Sequence, residues 1–95
     1  MKLSQEPGRF YHTNTSGKLL AEITFEPTPN EAALIIEHTY VDPSLRGQGV
    51  AQQLIQAVIQ LANQHKQQIV PVCSYAASYF ERHPELQSLR YQPNE

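Results

Sequence analysis

The chain has 95 residues, 40% of them hydrophobic, one cysteine and a formal net charge of −2. That leaves room for one small domain with a thin core, marginally stable unless a ligand or a partner chain adds to it. A single cysteine excludes an internal disulfide, four scattered histidines (His12, His38, His65 and His83) give no metal-ligand spacing, and the mild acidity excludes neither solubility nor small ligands but argues against nucleic acid or anionic lipid.

Residues 1–8 are polar, end in the turn signal Pro7-Gly8 and read as a loose arm without an apolar leader. No apolar run approaches the ~20 residues that span a bilayer, so a cytoplasmic protein is expected. Arg9 to His12 reads as a short strand. A polar turn, Thr13 to Gly17, leads to Lys18–Phe25, where Leu19, Ala21, Ile23 and Phe25 alternate with polar residues. Period two predicts a half-buried strand, and the pair reads as an antiparallel hairpin. After Pro27-Thr28-Pro29, Ala33 to Val41 predicts a third strand, apolar on both faces early and therefore central. Asp42-Pro43-Ser44 stops it.

From about Gly47 to Lys66 the period becomes 3.6. Val50, Leu54, Val58, Leu61 and Ala62 form one apolar stripe, widened by Ala51, Ile55 and Ile59, and glutamines 52, 53, 56, 60 and 64 form the outer face. Ile69 to Cys73 predicts a fourth strand, with Pro71 demanding an edge or a bulge. Ser74 is positioned to cap a short helix from Tyr75 to His83, limited by Pro84. The tail from residue 86 to residue 95 has Leu86, Leu89 and Tyr91 as anchors. The order β-β-β-α-β-α predicts an α+β domain. Its crossover (33–41, 47–66, 69–73) joins parallel strands and its hairpin joins antiparallel ones, so the sheet is mixed.

The junction Val41-Asp42-Pro43-Ser44-Leu45-Arg46-Gly47-Gln48-Gly49-Val50-Ala51 is the most informative stretch. It runs from the central strand into the long helix, and two glycines stand where the helix begins. Without Cβ atoms the first-turn N–H groups are open to an incoming group, and the helix N-terminus favours an anion. Gly49 is followed by Val50, which excludes a P-loop; Gln52 stands where a dinucleotide fingerprint has its third glycine. What remains is Arg46-x-x-Gly49-x-Ala51.

That pattern resembles the pyrophosphate-binding signature of the GNAT acetyltransferases. Glu37-His38-Thr39-Tyr40-Val41-Asp42-Pro43, Val72-Cys73-Ser74 and Tyr79-Phe80-Glu81-Arg82-His83-Pro84 extend the resemblance to a subgroup of very small single-domain members, over residues 9–91. The resemblance implies a minimal GNAT fold with a splayed central strand pair and acetyl-CoA as co-substrate, with no metal. The pyrophosphate would meet Leu45, Arg46, Gly47, Gln48, Gly49, Val50 and Ala51. Pantetheine would lie like an added strand beside Thr39, Tyr40 and Val41, with a backbone N–H near Tyr40 or Val41 as oxyanion donor.

Four catalytic candidates follow. His38 has a suitable intrinsic basicity, and alternation puts it on the face of Leu34, Ile36 and Tyr40 unless a bulge intervenes. Glu37 could act as base through a water. Cys73 could accept the acetyl group, or pack as a small hydrophobe among Val70, Val72 and Ala76. Tyr79 would donate a proton to the leaving thiolate, although Phe80 stands where the family pattern places that tyrosine. Only a hairpin precedes the third strand, so an open acceptor side is expected. Three functions compete: an N-acetyltransferase acting on an exposed amine, directly or through Cys73; a non-catalytic acyl-CoA-binding module; and a small interaction domain with a structural glycine loop. A monomer or weak homodimer is expected.

Overall fold

The computed structural model describes residues 1–91. Five strands form one sheet in the order β1 (Ser4–Glu6), β2 (Arg9–Thr13), β3 (Leu19–Pro27), β4 (Ala33–Val41) and β5 (Gln68–Pro71). The first four pair antiparallel and β5 joins β4 in parallel, so the sheet is mixed as expected. Helix α1 (Val50–Gln64) makes the crossover and α2 (Ser74–Arg82) follows β5. The register aligns Phe10 with Ile23 and Phe25 with Ile36. All four are buried in one core with Leu54, Ile55 and Val58 of α1, while the five outer glutamines of the helix are exposed.

Four readings need correction. The arm at residues 1–8 is an edge strand: Gly8 takes φ +76, and the two-residue turn folds Ser4–Glu6 back onto Arg9–Tyr11. The long helix runs from Val50 to Gln64 rather than from 47 to 66, because Gly47 (φ +80) and Gly49 (φ +77) are left-handed and Lys66 (φ +56) turns the chain out. The second helix is capped by Cys73, one residue before Ser74: its Sγ accepts the Ala76 N–H at 3.4 Å. The fourth strand accordingly ends at Pro71. It lies at the sheet edge, where a missing N–H is tolerated. Of the tail anchors, Leu86 and Leu89 pack against the core and the Tyr91 N–H donates to the Ile69 carbonyl at 2.8 Å. The rest of the tail, 92–95, lies outside the described residues.

Candidate functional site

Two irregularities of β4 make the site. The first is its parting from β5. The pairing runs only from Ala33–Gln68 to Ile36–Pro71. The N–H groups of Val72 and Cys73 then both donate to the Ile36 carbonyl at 3.1 Å, and the chain turns into α2. From Glu37 to Val41, β4 has β3 on one side and, among the described residues, no strand on the other. This is the splayed pair that the resemblance implies.

The second is the junction beyond Val41. It borders a cleft of about 230 Å³ lined by Val41, Leu45, Arg46, Gly47, Gly49, Val50, Ala51, Gln52 and Tyr75. The glycines are required by their backbone angles, since an added Cβ would meet nothing within 4 Å at either position. Gly49 is the N-cap of α1 and offers no side-chain cap, and no acidic residue stands in the first turn. Among the described residues, no backbone N–H from Gly47 to Gln52 donates within the chain. The helix end therefore keeps its orphan donors and its partial positive charge. Arg46 is exposed and donates from Nε to the Val41 carbonyl at 3.2 Å, which holds its guanidinium at the rim.

Asp42 positions this loop, and nothing in the sequence reading assigned it more than a stop. It is 6% exposed and caps the 3-10 turn Pro43–Leu45. Its Oδ2 accepts the Ser44 N–H at 3.0 Å and the Ser44 hydroxyl at 2.6 Å; its Oδ1 accepts from Tyr40 at 3.3 Å and faces Lys18 Nζ at 3.4 Å. The Ser44 hydroxyl first, then its N–H, then Lys18, lower the carboxyl pKa to about 2. The Asp-Pro-Ser order was the available signal: a capping residue followed by proline at the first helical position. Gln52 and Tyr75 were also missed as lining residues. Tyr75 reaches the cleft from α2, a contact no local pattern encodes.

Seven of the ten expected cofactor residues line the cleft; Thr39, Tyr40 and Gln48 do not. Thr39 lies at the parting of the strands, its hydroxyl 3.3 Å from Cys73 Sγ. The Tyr40 hydroxyl serves Asp42, and Gln48 folds back onto the Ser44 carbonyl at 3.3 Å. Cys73 is half-buried and packs against the edge of the core, while its neighbour Val72 is 60% exposed. Tyr79 is 4% exposed, stacked on His83 at 4.1 Å and set edge-on to Phe80.

The catalytic candidates on β4 fall elsewhere. The register steps from Thr24–His38 to Phe25–Ile36, which makes Glu37 an extra residue: a bulge. His38 therefore shares a face with Tyr40, Glu22 and Thr24 and not with Ile36. Simple alternation fails here, and the histidine is exposed. Glu37 is exposed at the bulge itself. Glu22 accepts from Arg9 and raises the guanidinium pKa above its ordinary value, against partial desolvation and with help from Glu6.

A model of the family described as GCN5-related N-acetyl-transferase matches residues 9–89. The fold is similar to that of a GCN5-like protein from Staphylococcus aureus solved by NMR, with 29% identity and a TM-score of 0.78 over 99% of this chain and 91% of that one. A GNAT-family crystal structure from Staphylococcus aureus subsp. aureus gives 28% identity and a TM-score of 0.59, covering 67% of this chain and 53% of that one. A Mycobacterium tuberculosis protein crystallised with CoA shares the fold at 15% identity and a TM-score of 0.56, covering 78% of this chain and 47% of that one. The chain thus spans nearly all of the first and about half of the other two. No curated protein matches it.

Proposed function

The chain belongs to the GCN5-related N-acetyltransferase family, and on that premise we propose that it moves the acetyl group of acetyl-CoA onto an exposed primary amine. The observation that carries the reading is the run of unbonded amides from Gly47 to Gln52 at the mouth of the cleft. A diphosphate there receives several N–H donors, the positive end of α1 and the Arg46 guanidinium. Gly47 and Gly49 admit it closely; Leu45, Gln48, Val50 and Ala51 shape the turn. The unpartnered edge of β4 at Thr39, Tyr40 and Val41 lets pantetheine bond as an added strand. The thioester then lies where β4 and β5 part, beside Thr39 and Cys73.

The transfer has a fixed proton balance. A base takes one proton from the acceptor ammonium. The freed lone pair forms the N–C bond, the carbonyl oxygen gains charge, and the C–S bond breaks. The thiolate takes the second proton that nitrogen sheds. His38 is the base within reach of the open sheet face, with Glu37 beside it at the bulge. Tyr79 is the available relay for that second proton, giving its own to the thiolate and taking the one that nitrogen sheds. Direct attack by the amine is the default route; transfer through Cys73 is the variant.

Titration of the protein with CoA and acetyl-CoA by calorimetry and amide NMR tests the binding half. Heat of binding with shifts confined to residues 39–52 and 73–76 is expected; no heat and no shift at millimolar CoA would remove the reading. Thiol release from acetyl-CoA with a panel of amines tests the transfer half. One observation favours a second reading, an acyl-CoA-binding module without turnover: Phe80 is fully buried and Tyr79 is locked in a stack with His83. CoA binding without thiol release from any amine selects that module.

A further inference from the structure

The sheet face turned away from α1 holds a linked row of charged groups that ends on His38. Glu6 accepts from Arg9 Nη1 at 3.2 Å and from the Tyr11 hydroxyl at 3.3 Å. Arg9 lies 3.9 Å over the Tyr11 ring and donates from Nε to Glu22 Oε2. The Glu22 side chain is only 17% exposed, and its other oxygen, Oε1, stands 3.8 Å from His38 Nε2. One carboxylate oxygen is committed to Arg9 and the second faces the imidazole. Tyr40 is the register partner of Glu22, and Glu37 adjoins His38 on its own strand.

The bulge explains why this row matters. Without the extra residue at Glu37, His38 would share the face of Ile36 and lie under α1. The bulge falls at the point where β5 leaves β4, immediately after the Ile36–Pro71 pair. The next residues of β4 therefore flank the gap from two sides: Thr39 with Cys73 on one, His38 with Glu22 on the other. An exposed imidazole alone samples several rotamers; a fixed carboxylate on its Nε2 edge reduces them.

We propose that Glu22, pinned by Arg9, is a positioning residue for acyl transfer, holding His38 so that its Nδ1 edge meets the acceptor amine. The inference rests on the acetyltransferase reading and on His38 as base. The acceptor ammonium gives one proton to Nδ1, its lone pair forms the N–C bond, the C–S bond breaks, and the departing thiolate takes the second proton from nitrogen. Glu22 touches neither substrate nor thioester; it acts through the imidazole.

The test compares the wild-type protein with E22Q, E22D, H38Q and the E22Q/H38Q double variant. Thiol release is measured with a lysine-containing peptide and spermidine as probe amines, and CoA binding by calorimetry. H38Q is expected to lower kcat by roughly 10²–10⁴-fold, the range of a general base. E22Q lowers kcat by a smaller factor, E22D restores part of it, and KM for acetyl-CoA stays at the wild-type value in all four. The double variant is no slower than H38Q. A wild-type kcat in E22Q, or a loss that multiplies in the H38Q background, overturns the proposal. A measurement free of any acceptor stands beside it: the His38 ring ¹⁵N signals move in E22Q and return in E22D. Signals unmoved in E22Q overturn the proposal even if neither probe amine turns over. Failure of the wild type to bind CoA strikes the acetyltransferase reading instead.

Discussion

The two ends of one short stretch of β4 are built on different principles. At Val41 and beyond, the cleft is made by backbone: two left-handed glycines, an uncapped helix start and a turn held by Asp42. At Glu37 and His38, the surface is made by side chains whose direction depends on one extra residue in the ladder. The first region needs few particular side chains, because amides bind phosphate wherever φ angles present them. The second depends on a carboxylate and an imidazole meeting across strands. The contrast separates what holds a ligand from what would act on it.

The backbone principle is broken most directly at Gly49. Gly49→Val places a β-branched residue at φ +77, which costs at least the ~1–2 kcal/mol of a left-handed L-residue. For a domain of this size that lowers the melting temperature by roughly 4–8 °C per kcal/mol. The added atoms meet no protein neighbour, so the remaining effect falls on the ligand: CoA binding by calorimetry is expected to vanish. A folded Gly49→Val protein with intact CoA affinity would show that phosphate sits elsewhere. Arg46→Ala comes next. It removes about 1.5 kcal/mol of charged hydrogen bonding at an exposed site, about a tenfold loss of CoA affinity, and leaves the fold unchanged. The loss shrinks in high salt; a salt-independent loss would mean that Arg46 acts through its bond to Val41 instead.

The same contrast explains what the sequence could convey. Glycine spacing, the stripe from Val50 to Ala62 and the alternation from Leu19 to Phe25 are local signals, and each led to the observed element. The parting of the strands was legible through Pro71 and the resemblance. The direction of His38 was left open, because the resemblance allows a bulge that leaves no residue-type signature at Glu37 and inverts alternation beyond it. The cap at Cys73 was assigned to Ser74 because hydroxyls outrank thiols as caps. Asp42 was read as a strand stop although the local Asp-Pro-Ser order signals its cap; only its contact with Lys18, from the turn before β3, is one no local pattern encodes.

Two smaller effects sharpen the comparison. Cys73 joins both principles: its Sγ caps α2 and faces Thr39. Cys73→Ala is expected to lose about 0.5–1 kcal/mol of stability with the cap, and Cys73→Ser to recover it. Direct attack predicts full turnover in Cys73→Ser and no acetyl adduct on Cys73 by mass spectrometry; an adduct with turnover lost in the variant would install the thiol as a relay. Asp42→Asn keeps the cap, because asparagine caps about as well as aspartate, and loses only what the charge contributes at neutral pH. Its signature is in acid. The Asp42 carboxyl is held at about 2 in the fold against an ordinary value of 3.8. A depressed pKa contributes stability above the ordinary value that is lost as pH falls through the folded one. Urea melts should therefore show the wild-type protein losing, between pH 4 and pH 2, an advantage that Asp42→Asn never had. A gap between the two that stays constant across that window would mean that the turn before Arg46 is held by the backbone alone.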